Sequence, residues 1–269
     1  MHIDMDCFFV SVGLRKHPHL VGKPIAVCHS KGSGSNPRNN AESLKKEAAE
    51  YEKRLNSKTH SESVAHTRDR VQNLIDSAGV SMSEIASCSY EARAKGVKNG
   101  MFMGSALKLC PELQTIPYDF ESYEIVAKSL YDTVAQYTLD IQAVSCDEML
   151  VDLSELLEST KISPEDFAQI LRQEMKEKTD CNASVGFGSS ILLARMATKK
   201  AKPDGIFHLK DGNAMEFFKS VQVGDLPGNF LSFENRLNTV LRTIIRIELL
   251  FMMICLEKSN RIVWPYFSI

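Results

Sequence analysis

The sequence predicts an α+β fold in which two helices cover one face of an antiparallel sheet. The first observation is the order of the elements, because strand, helix, hairpin, helix and strand follow the split βαββαβ plan. The second is the spacing of apolar residues within 121–137, which has the period of an amphipathic helix. The third is composition: 269 residues with 43% hydrophobic and 25% charged residues are typical of a folded chain with two or three subdomains.

The individual elements follow from local patterns and from the residues that end helices. Pro18, Gly96 and Pro203 each follow a helix that they terminate, and Ser163-Pro164 has the order of an N-cap and a first-turn proline. Strands are predicted at 1–6, 24–28, 85–89, 141–145, 149–153 and 183–188. Helices are predicted at 8–15, 90–95, 121–137, 163–178 and 190–201.

Charge and cysteine content disfavour several classes of protein. The net charge is −2 and the isoelectric point is about 6.4, so any binding of nucleic acid must rely on a local basic patch. The seven cysteines never form CxxC, which disfavours a zinc site and a secreted disulfide framework. The acidic N-terminal segment does not have the pattern of a signal peptide, and the apolar stretch 244–256 is shorter than the roughly 20 residues of a membrane span.

Residues 31–84 differ from the rest of the chain and are predicted to be a flexible insertion in a more compact fold. Residues 31–40, KGSGSNPRNN, have the composition of a loop. The stretch that follows is polar, with few aromatic or β-branched residues. Within it, 41–55 is a candidate helix with a charged face, and 57–63 is typical of a linker.

Two pairs of acidic residues are candidates for a metal site. Asp4 and Asp6 end the first strand, and Asp147 and Glu148 lie in the predicted turn of the hairpin. Either pair alone is more often a solvated strand end or turn, but the predicted topology brings both pairs to one edge of the sheet. Two carboxylates about 4 Å apart repel by ~4 kcal/mol at an effective dielectric constant of about 20. We therefore expect a cation there, and carboxylate oxygens suit Mg²⁺ or Mn²⁺.

Two further groups of residues suit phosphate. The segment from Ser87 to Arg93 leads from a strand into a helix start and carries hydroxyl groups and an arginine. The second group is basic and comprises Arg195, Lys199, Lys200 and Lys202. Four such cations suit a triphosphate or a DNA backbone. The alternatives are an ordinary helix start with a solvated arginine, and a solvated helix C-terminus whose cations complement the helix dipole.

Five sequence blocks, in this order, resemble the Y-family translesion DNA polymerases. They are HIDMDCFFVSV, CSYEARAKGVKNGM, SCDEMLVDL, SVGFGSSILLARMATKKAKPDG and DLPG. The resemblance covers about residues 1–30 and 85–236. Within the family, IASCSYEAR, YDFESY and AVSCDE, together with the insertion ahead of IASCSYEAR, are most similar to the deoxycytidyl transferase (REV-one) branch.

The resemblance implies a domain order for the chain. Residues 1–16 and 120–209 match the catalytic palm, 17–119 the small fingers domain with its insertion, and 210–236 a truncated helical thumb, while the tail 237–269 matches nothing in the family. The thumb turn also departs from the family, since Asn229-Phe230-Leu231 replace small residues. No block matches the family's little finger or the arginine that selects dCTP ahead of the first strand in this branch. We therefore expect a fragment with little preference for dCTP.

The resemblance also implies roles for single residues. The metal ligands would be the carboxylates of Asp4, Asp147 and Glu148 and the backbone carbonyl of Met5, holding two Mg²⁺ ions or, as an alternative, Mn²⁺. The nucleotide contacts would be Asp6, Cys7, Phe8, Phe9, Ser87, Tyr90, Arg93, Asn99 and Lys202. Among these, Phe9 matches the steric gate that excludes a ribose 2′-hydroxyl. The DNA contacts would be Arg195, Lys199 and Lys200.

The resemblance implies DNA-directed nucleotidyl transfer in translesion synthesis by a two-metal mechanism, with deoxycytidyl transfer as the form typical of the resembled branch. The residues alone do not distinguish DNA from another phosphoryl acceptor. The expected partners are primer–template DNA and a deoxynucleoside triphosphate, dCTP in that branch. The expected location is the nucleus, and no membrane contact is expected. Two alternatives stay open: a catalytically silent fragment that folds as an interaction module, and a general template-reading Y-family polymerase.

Overall fold

The computed structural model describes residues 1–28, 83–221 and 225–227. The loop, helix and linker predicted within 31–84 lie outside the described residues, as do the thumb turn at 229–231 and the tail 237–269 with its apolar stretch. The chain divides into two compact units, residues 1–6 with 124–269 and residues 7–123, and each is considered by itself.

Eight strands and eight helices are present in the part of the chain that the structure describes. The strands are β1 His2–Met5, β2 Ile25–Cys28, β3 Ile85–Cys88, β4 Gln114–Ile116, β5 Ile141–Ala143, β6 Glu148–Val151, β7 Ala183–Phe187 and β8 Ile206–His208. The helices are α1 Phe8–Leu14, α2 Tyr90–Ala94, α3 Met103–Leu109, α4 Phe120–Ala135, α5 Ser154–Thr160, α6 Pro164–Thr179, α7 Ile191–Ala201 and α8 Asp211–Ser220. None of these helices is long and apolar enough to cross a membrane.

The first unit is built on a five-stranded sheet in the order β5–β6–β1–β7–β8. Strand β1 runs antiparallel to both β6 and β7, so it lies beside the β5–β6 hairpin as predicted. The sheet confirms the predicted α+β class and adds β8, which runs parallel to β7. The predicted position of Glu148 was wrong: it does not lie in the hairpin turn but begins β6, where it pairs with Asp4 across the ladder.

The two faces of this sheet follow from the alternation of side chains along each strand. Ile3, Met149 and Val185 lie side by side on one face and are fully buried. On the other face, Gly186 lies against α7, where a Cβ atom would come within 2.2 Å of the backbone nitrogen of Thr198. The absence of a side chain at Gly186 lets α7 pack directly on the sheet beside β1.

Local signals account for the starts of the long helices. Ser163 accepts a hydrogen bond from the amide of Asp166 at 3.0 Å, which confirms the predicted N-cap of α6. Ser190 caps α7 in the same way through the amide of Leu193.

The second unit contains a three-stranded sheet in the order β3–β2–β4. Alternate residues of β2 belong to two different hydrophobic clusters. Ile25 and Val27 pack with Val10 of α1, whereas Ala26 packs with Ala92 of α2. Helix α1 therefore packs within this unit, whereas the predicted palm included residues 8–15. The assignment of palm and fingers to the two units stays a prediction.

Candidate active site

Three acidic residues of the first unit occupy neighbouring backbone positions at one end of β1. Asp4 in β1 is the cross-strand partner of Glu148 in β6. The amide of Met5 donates a hydrogen bond to the carbonyl oxygen of Asp147 at 2.9 Å, which holds the hairpin turn against β1. Like charges placed opposite each other across a ladder are normally destabilising, so this arrangement requires compensation.

Each carboxylate has its own compensating partner. The ammonium group of Lys202 lies 2.5 Å from Asp4 Oδ1. Glu148 contacts the imidazole Nε2 of His2 at 3.3 Å and Arg195 Nη2 at 3.5 Å. The carboxylate of Asp147 accepts a hydrogen bond from the hydroxyl group of Ser145. Cations and hydrogen-bond donors of the chain therefore neutralise the site.

The pKa values of two of these acids are shifted in opposite directions. Burial raises the pKa of Asp4, and the charges of Asp147 and Glu148 add to this rise, while Lys202 opposes it. The contact with the His2 imidazole lowers the pKa of Glu148, and Arg195 acts in the same direction. The Asp4 carboxylate is therefore less stabilised in its charged form than the Glu148 carboxylate at the same end of β1.

The donor set fits a hard divalent cation. Carboxylate oxygens are the ligands that Mg²⁺ and Mn²⁺ prefer, and a divalent cation would offset the burial and the neighbouring charges that raise the pKa of Asp4. Within residues 1–28, 83–221 and 225–227, however, no three His, Cys, Asp or Glu side chains are grouped closely enough to hold a metal. The three acids are directed to separate partners in this structure, and their role as metal ligands stays a prediction.

Asp6 lies next to this site, but its carboxylate is engaged with the protein. The Ser184 hydroxyl lies 3.0 and 3.1 Å from its two oxygens, and the amide of Asp204 donates to Oδ2 at 2.7 Å. The side chain is only 4% exposed. These contacts favour a structural role for Asp6 over the predicted contact with a nucleotide.

The predicted basic group occupies α7 and the residue that follows it. Arg195 and Lys202 face the carboxylates of Glu148 and Asp4, as described above. Lys199 forms an ion pair with Asp225 at 2.6 Å, whereas Lys200 is exposed. Contact of this group with DNA stays a prediction.

In the second unit, Phe9 lies within a cluster of aromatic rings. Its ring centroid is 4.7 Å from that of Tyr123 and 6.2 Å from that of Tyr118. Phe8 is buried and packs on Tyr123, which favours a core role for its side chain. Cys7, which precedes α1, adopts a left-handed backbone conformation with φ of 38°.

The predicted phosphate contacts of the second unit surround the start of α2. Arg93 donates a hydrogen bond from Nε to the carbonyl oxygen of Cys88 at 3.1 Å and lies over the ring of Tyr90. Ser87 is buried in β3, which favours packing over contact with a ligand. Asn99 accepts a hydrogen bond from the Cys88 thiol at 3.3 Å. Triphosphate binding by this group stays a prediction.

Sequence reasoning missed several residues that shape these sites. They are His2, Arg172, Ser184, Asp204 and Tyr123. The alternation HIDM puts His2 on the same strand face as Asp4, a signal that was present in the sequence. The other four make contacts that depend on tertiary packing and had no comparable local signal.

The comparisons with known proteins match most of the chain. The model of the impB/mucB/samB family matches residues 3–199. The DNA repair protein Rev1 of Drosophila melanogaster is 51% identical over 241 residues, which cover 88% of this chain and 24% of that protein. The DNA repair protein REV1 of Arabidopsis thaliana is 37% identical over 228 residues, which cover 85% of this chain and 16% of that protein. The chain thus spans about a quarter or less of the length of these curated relatives.

A solved structure agrees with the fold. The insertion ternary complex of Dbh DNA polymerase has a TM-score of 0.64 and 19% sequence identity to this chain, and the match covers 98% of this chain and 68% of that one. At this identity the similarity shows the fold alone, and it confirms the predicted fold class.

Proposed function

Because the chain belongs to the impB/mucB/samB family of Y-family polymerases, we propose that it catalyses DNA-directed nucleotidyl transfer in translesion DNA synthesis. In the proposed reaction the 3′-hydroxyl of a primer attacks the α-phosphate of a deoxynucleoside triphosphate and releases pyrophosphate. The resemblance to the deoxycytidyl transferase branch makes dCTP the first nucleotide to test, and the similarity to the Rev1 proteins agrees with that branch. Primer–template DNA is the second substrate, and the nucleus is the proposed location.

One observation carries this proposal: Asp4 and Glu148 face each other across β1 and β6, and the turn that carries Asp147 is hydrogen-bonded to Met5. Three carboxylates at adjacent positions repel one another, and this chain offsets the repulsion with Lys202, His2 and Arg195. A site that keeps this charge is better explained by catalysis than by stability.

We assign Asp4, Asp147, Glu148 and the carbonyl oxygen of Met5 as ligands of two Mg²⁺ ions. Bound there, the ions would lower the pKa of the primer hydroxyl and neutralise charge on the triphosphate. Lys202 and Arg195, which neutralise Asp4 and Glu148 in this structure, supply further positive charge beside the carboxylates. That charge suits the phosphate groups of a nucleotide.

Phe9 is the proposed steric gate. Its packing against Tyr123 and Tyr118 restricts the positions that the ring can adopt. A fixed ring excludes a larger sugar more strongly than a mobile one, because the ring cannot move aside when a 2′-hydroxyl approaches.

Primer extension tests the proposed function. Glu148→Gln should reduce the rate of single-nucleotide incorporation by about a thousandfold, because a metal contributes several kcal/mol to such a transition state. Glu177→Gln is a matched control, since Glu177 is exposed on α6 and contacts Gln173 at 2.7 Å. Equal rates for Glu148→Gln and the control would contradict the proposed site.

Nucleotide choice is tested by single insertions opposite each of the four template bases. Insertion of dCMP opposite all four bases would support deoxycytidyl transfer. Insertion that follows Watson–Crick pairing would favour a general template-reading polymerase instead.

A further inference from the structure

We propose that Asp6 and Arg172 are positioning residues that hold the loop 202–205 so that Lys202 faces Asp4. This inference rests on the proposed function, because Lys202 is the lysine proposed to contact the triphosphate. The loop connects α7 to β8 and lies in the first unit with both positioning residues.

Asp6 fixes one side of the loop. The amide of Asp204 donates a hydrogen bond to Asp6 Oδ2 at 2.7 Å, and the hydroxyl group of Ser184 donates to the same carboxylate at 3.0 Å. Ser184 is fully buried, and Asp6 is 4% exposed. Hydrogen bonds to a buried carboxylate are stronger than those between neutral groups, so the loop is tied firmly to β7.

Arg172 of α6 fixes the same loop from another element. Its Nε donates to the carbonyl oxygen of Ala183 at 2.8 Å, and its Nη2 donates to the carbonyl oxygen of Asp204 at 2.7 Å. The guanidinium group also forms an ion pair with the Asp204 carboxylate. The planar geometry of arginine allows one side chain to join β7 and the loop in a single arrangement.

The two contacts meet at Asp204, whose backbone is left-handed with φ of 48°. Lys202 precedes Asp204 by two residues, and its amide donates to the carbonyl oxygen of Thr198 at 3.0 Å. The loop is therefore anchored before and after Pro203. With both anchors in place, Lys202 Nζ lies 2.5 Å from Asp4 Oδ1.

The contacts of Asp6 and Arg172 fit a positioning role better than direct contact with a nucleotide or with DNA. Both oxygens of Asp6 accept hydrogen bonds from the protein, and three bonds of Arg172 are directed to Ala183 and Asp204. Their shared target is the loop that carries Lys202. Both therefore act through Lys202, and neither is a catalytic residue.

Lysine reactivity tests the positioning without requiring catalysis. In Arg172→Gln, the side-chain amine of Lys202 should react severalfold faster with an amine-reactive reagent, measured by mass spectrometry, because the ion pair that holds it against Asp4 is loosened. The exposed Lys200 is the internal reference. Lys176→Gln is the matched control, since it removes an exposed ion pair with Asp180 from the same helix. Unchanged reactivity of Lys202 in Arg172→Gln would overturn the proposal.

A double-mutant cycle tests the consequence for the nucleotide. Arg172→Gln and Lys202→Ala should each raise the KM for dCTP by about tenfold, with a smaller change in kcat, because a charge-assisted contact with phosphate is lost. Arg172→Gln should add nothing further in the Lys202→Ala background. An additional rise of the same size in that background would show that Arg172 does not act through Lys202, and would overturn the proposal.

The outcomes separate this inference from the proposed function. If Lys202→Ala leaves the KM unchanged, the proposed nucleotide role of Lys202 fails, while the reactivity of Lys202 still decides whether Arg172 positions it. If Arg172→Gln fails to fold, Asp204→Asn replaces it, because asparagine also adopts the left-handed conformation and lacks the charge that pairs with Arg172. Faster labelling of Lys202 in Asp204→Asn would support the proposal, and unchanged labelling would overturn it.

Discussion

Replacement of Gly186 by alanine should destabilise the first unit, because a methyl group has no room at this position of β7. A Cβ atom there would lie 2.2 Å from the amide nitrogen of Thr198 and 2.4 Å from the carbonyl oxygen of Ala194. Both are backbone atoms of α7, so no side-chain rotation relieves the overlap. The helix would have to move away from the sheet by about 1 Å to restore ordinary contact distances.

The magnitude follows from what such a movement disrupts. Overpacking of a close backbone contact costs about 1–3 kcal/mol. The hydroxyl group of Thr198 on α7 also lies 3.0 Å from Nδ1 of His2, and both residues are buried. Loss of a buried hydrogen bond adds about 1 kcal/mol. We therefore expect Gly186→Ala to lower the free energy of unfolding by about 2–4 kcal/mol, and to reduce activity because α7 also carries Arg195.

Equilibrium unfolding in urea measures this change, with the m-value checked in parallel. Gly212→Ala is the matched control, because no atom beyond its chain neighbours and the backbone of its own helix lies within 4 Å of the position that its Cβ would occupy in α8. Alanine there should leave the stability unchanged or raise it by up to about 1 kcal/mol. If Gly186→Ala were as stable as the wild type at an unchanged m-value, the close packing of α7 on β7 would be refuted.

Three further predictions concern single side chains. Phe9→Ala should increase incorporation of CTP relative to dCTP, and unchanged sugar discrimination in this variant would exclude Phe9 as the gate. The hydrogen bond from Lys16 lowers the pKa of Asp119 from 3.8 to about 2. The ionised carboxylate therefore stabilises the folded state fully above pH 3.8. This contribution is lost as the pH falls through about 2. Asp119→Asn should accordingly weaken the acid dependence of unfolding, and an NMR titration that gives an ordinary pKa for this carboxyl would contradict the contact. The hydrogen bond to Glu174 raises the pKa of Tyr137 from 10.0 to about 12, so its stabilising contribution is complete below pH 10.0 and is lost as the pH rises through about 12. Tyr137→Phe should remove a tyrosine that ionises near pH 12 from the ultraviolet titration, and an unchanged titration would argue against this hydrogen bond.

The sequence predicts those parts of the fold in which apolar residues recur at a regular spacing or a single residue gives a strong local signal. The apolar spacing within 121–137 predicts α4, and Ser163 predicts the start of α6. The adjacency of β1 to the β5–β6 hairpin also follows, because the split βαββαβ order leaves few other arrangements. That adjacency is why Asp4 could be associated with Asp147 and Glu148 from sequence alone.

Contacts between distant residues could not be predicted in this way. Ser184 and Asp6 are 178 residues apart, and neither has a local pattern that identifies the other as its partner. Strand β8 has three residues, too few for a period of two to be recognised. The alternation of acids in DMD favoured a ligand role for both Asp4 and Asp6, whereas the structure directs Asp6 to Ser184 and Asp204 because β1 ends at Met5.

The most direct test of the central claim is a Mn²⁺ titration followed by electron paramagnetic resonance, in the presence of primer–template DNA and dCTP. If Asp4, Asp147 and Glu148 form the divalent-cation site, the wild-type chain should bind two equivalents of Mn²⁺. Asp4→Asn should then bind the ions much more weakly, while Glu177→Gln binds them as the wild type does. Identical titrations for the wild type and Asp4→Asn would contradict the account.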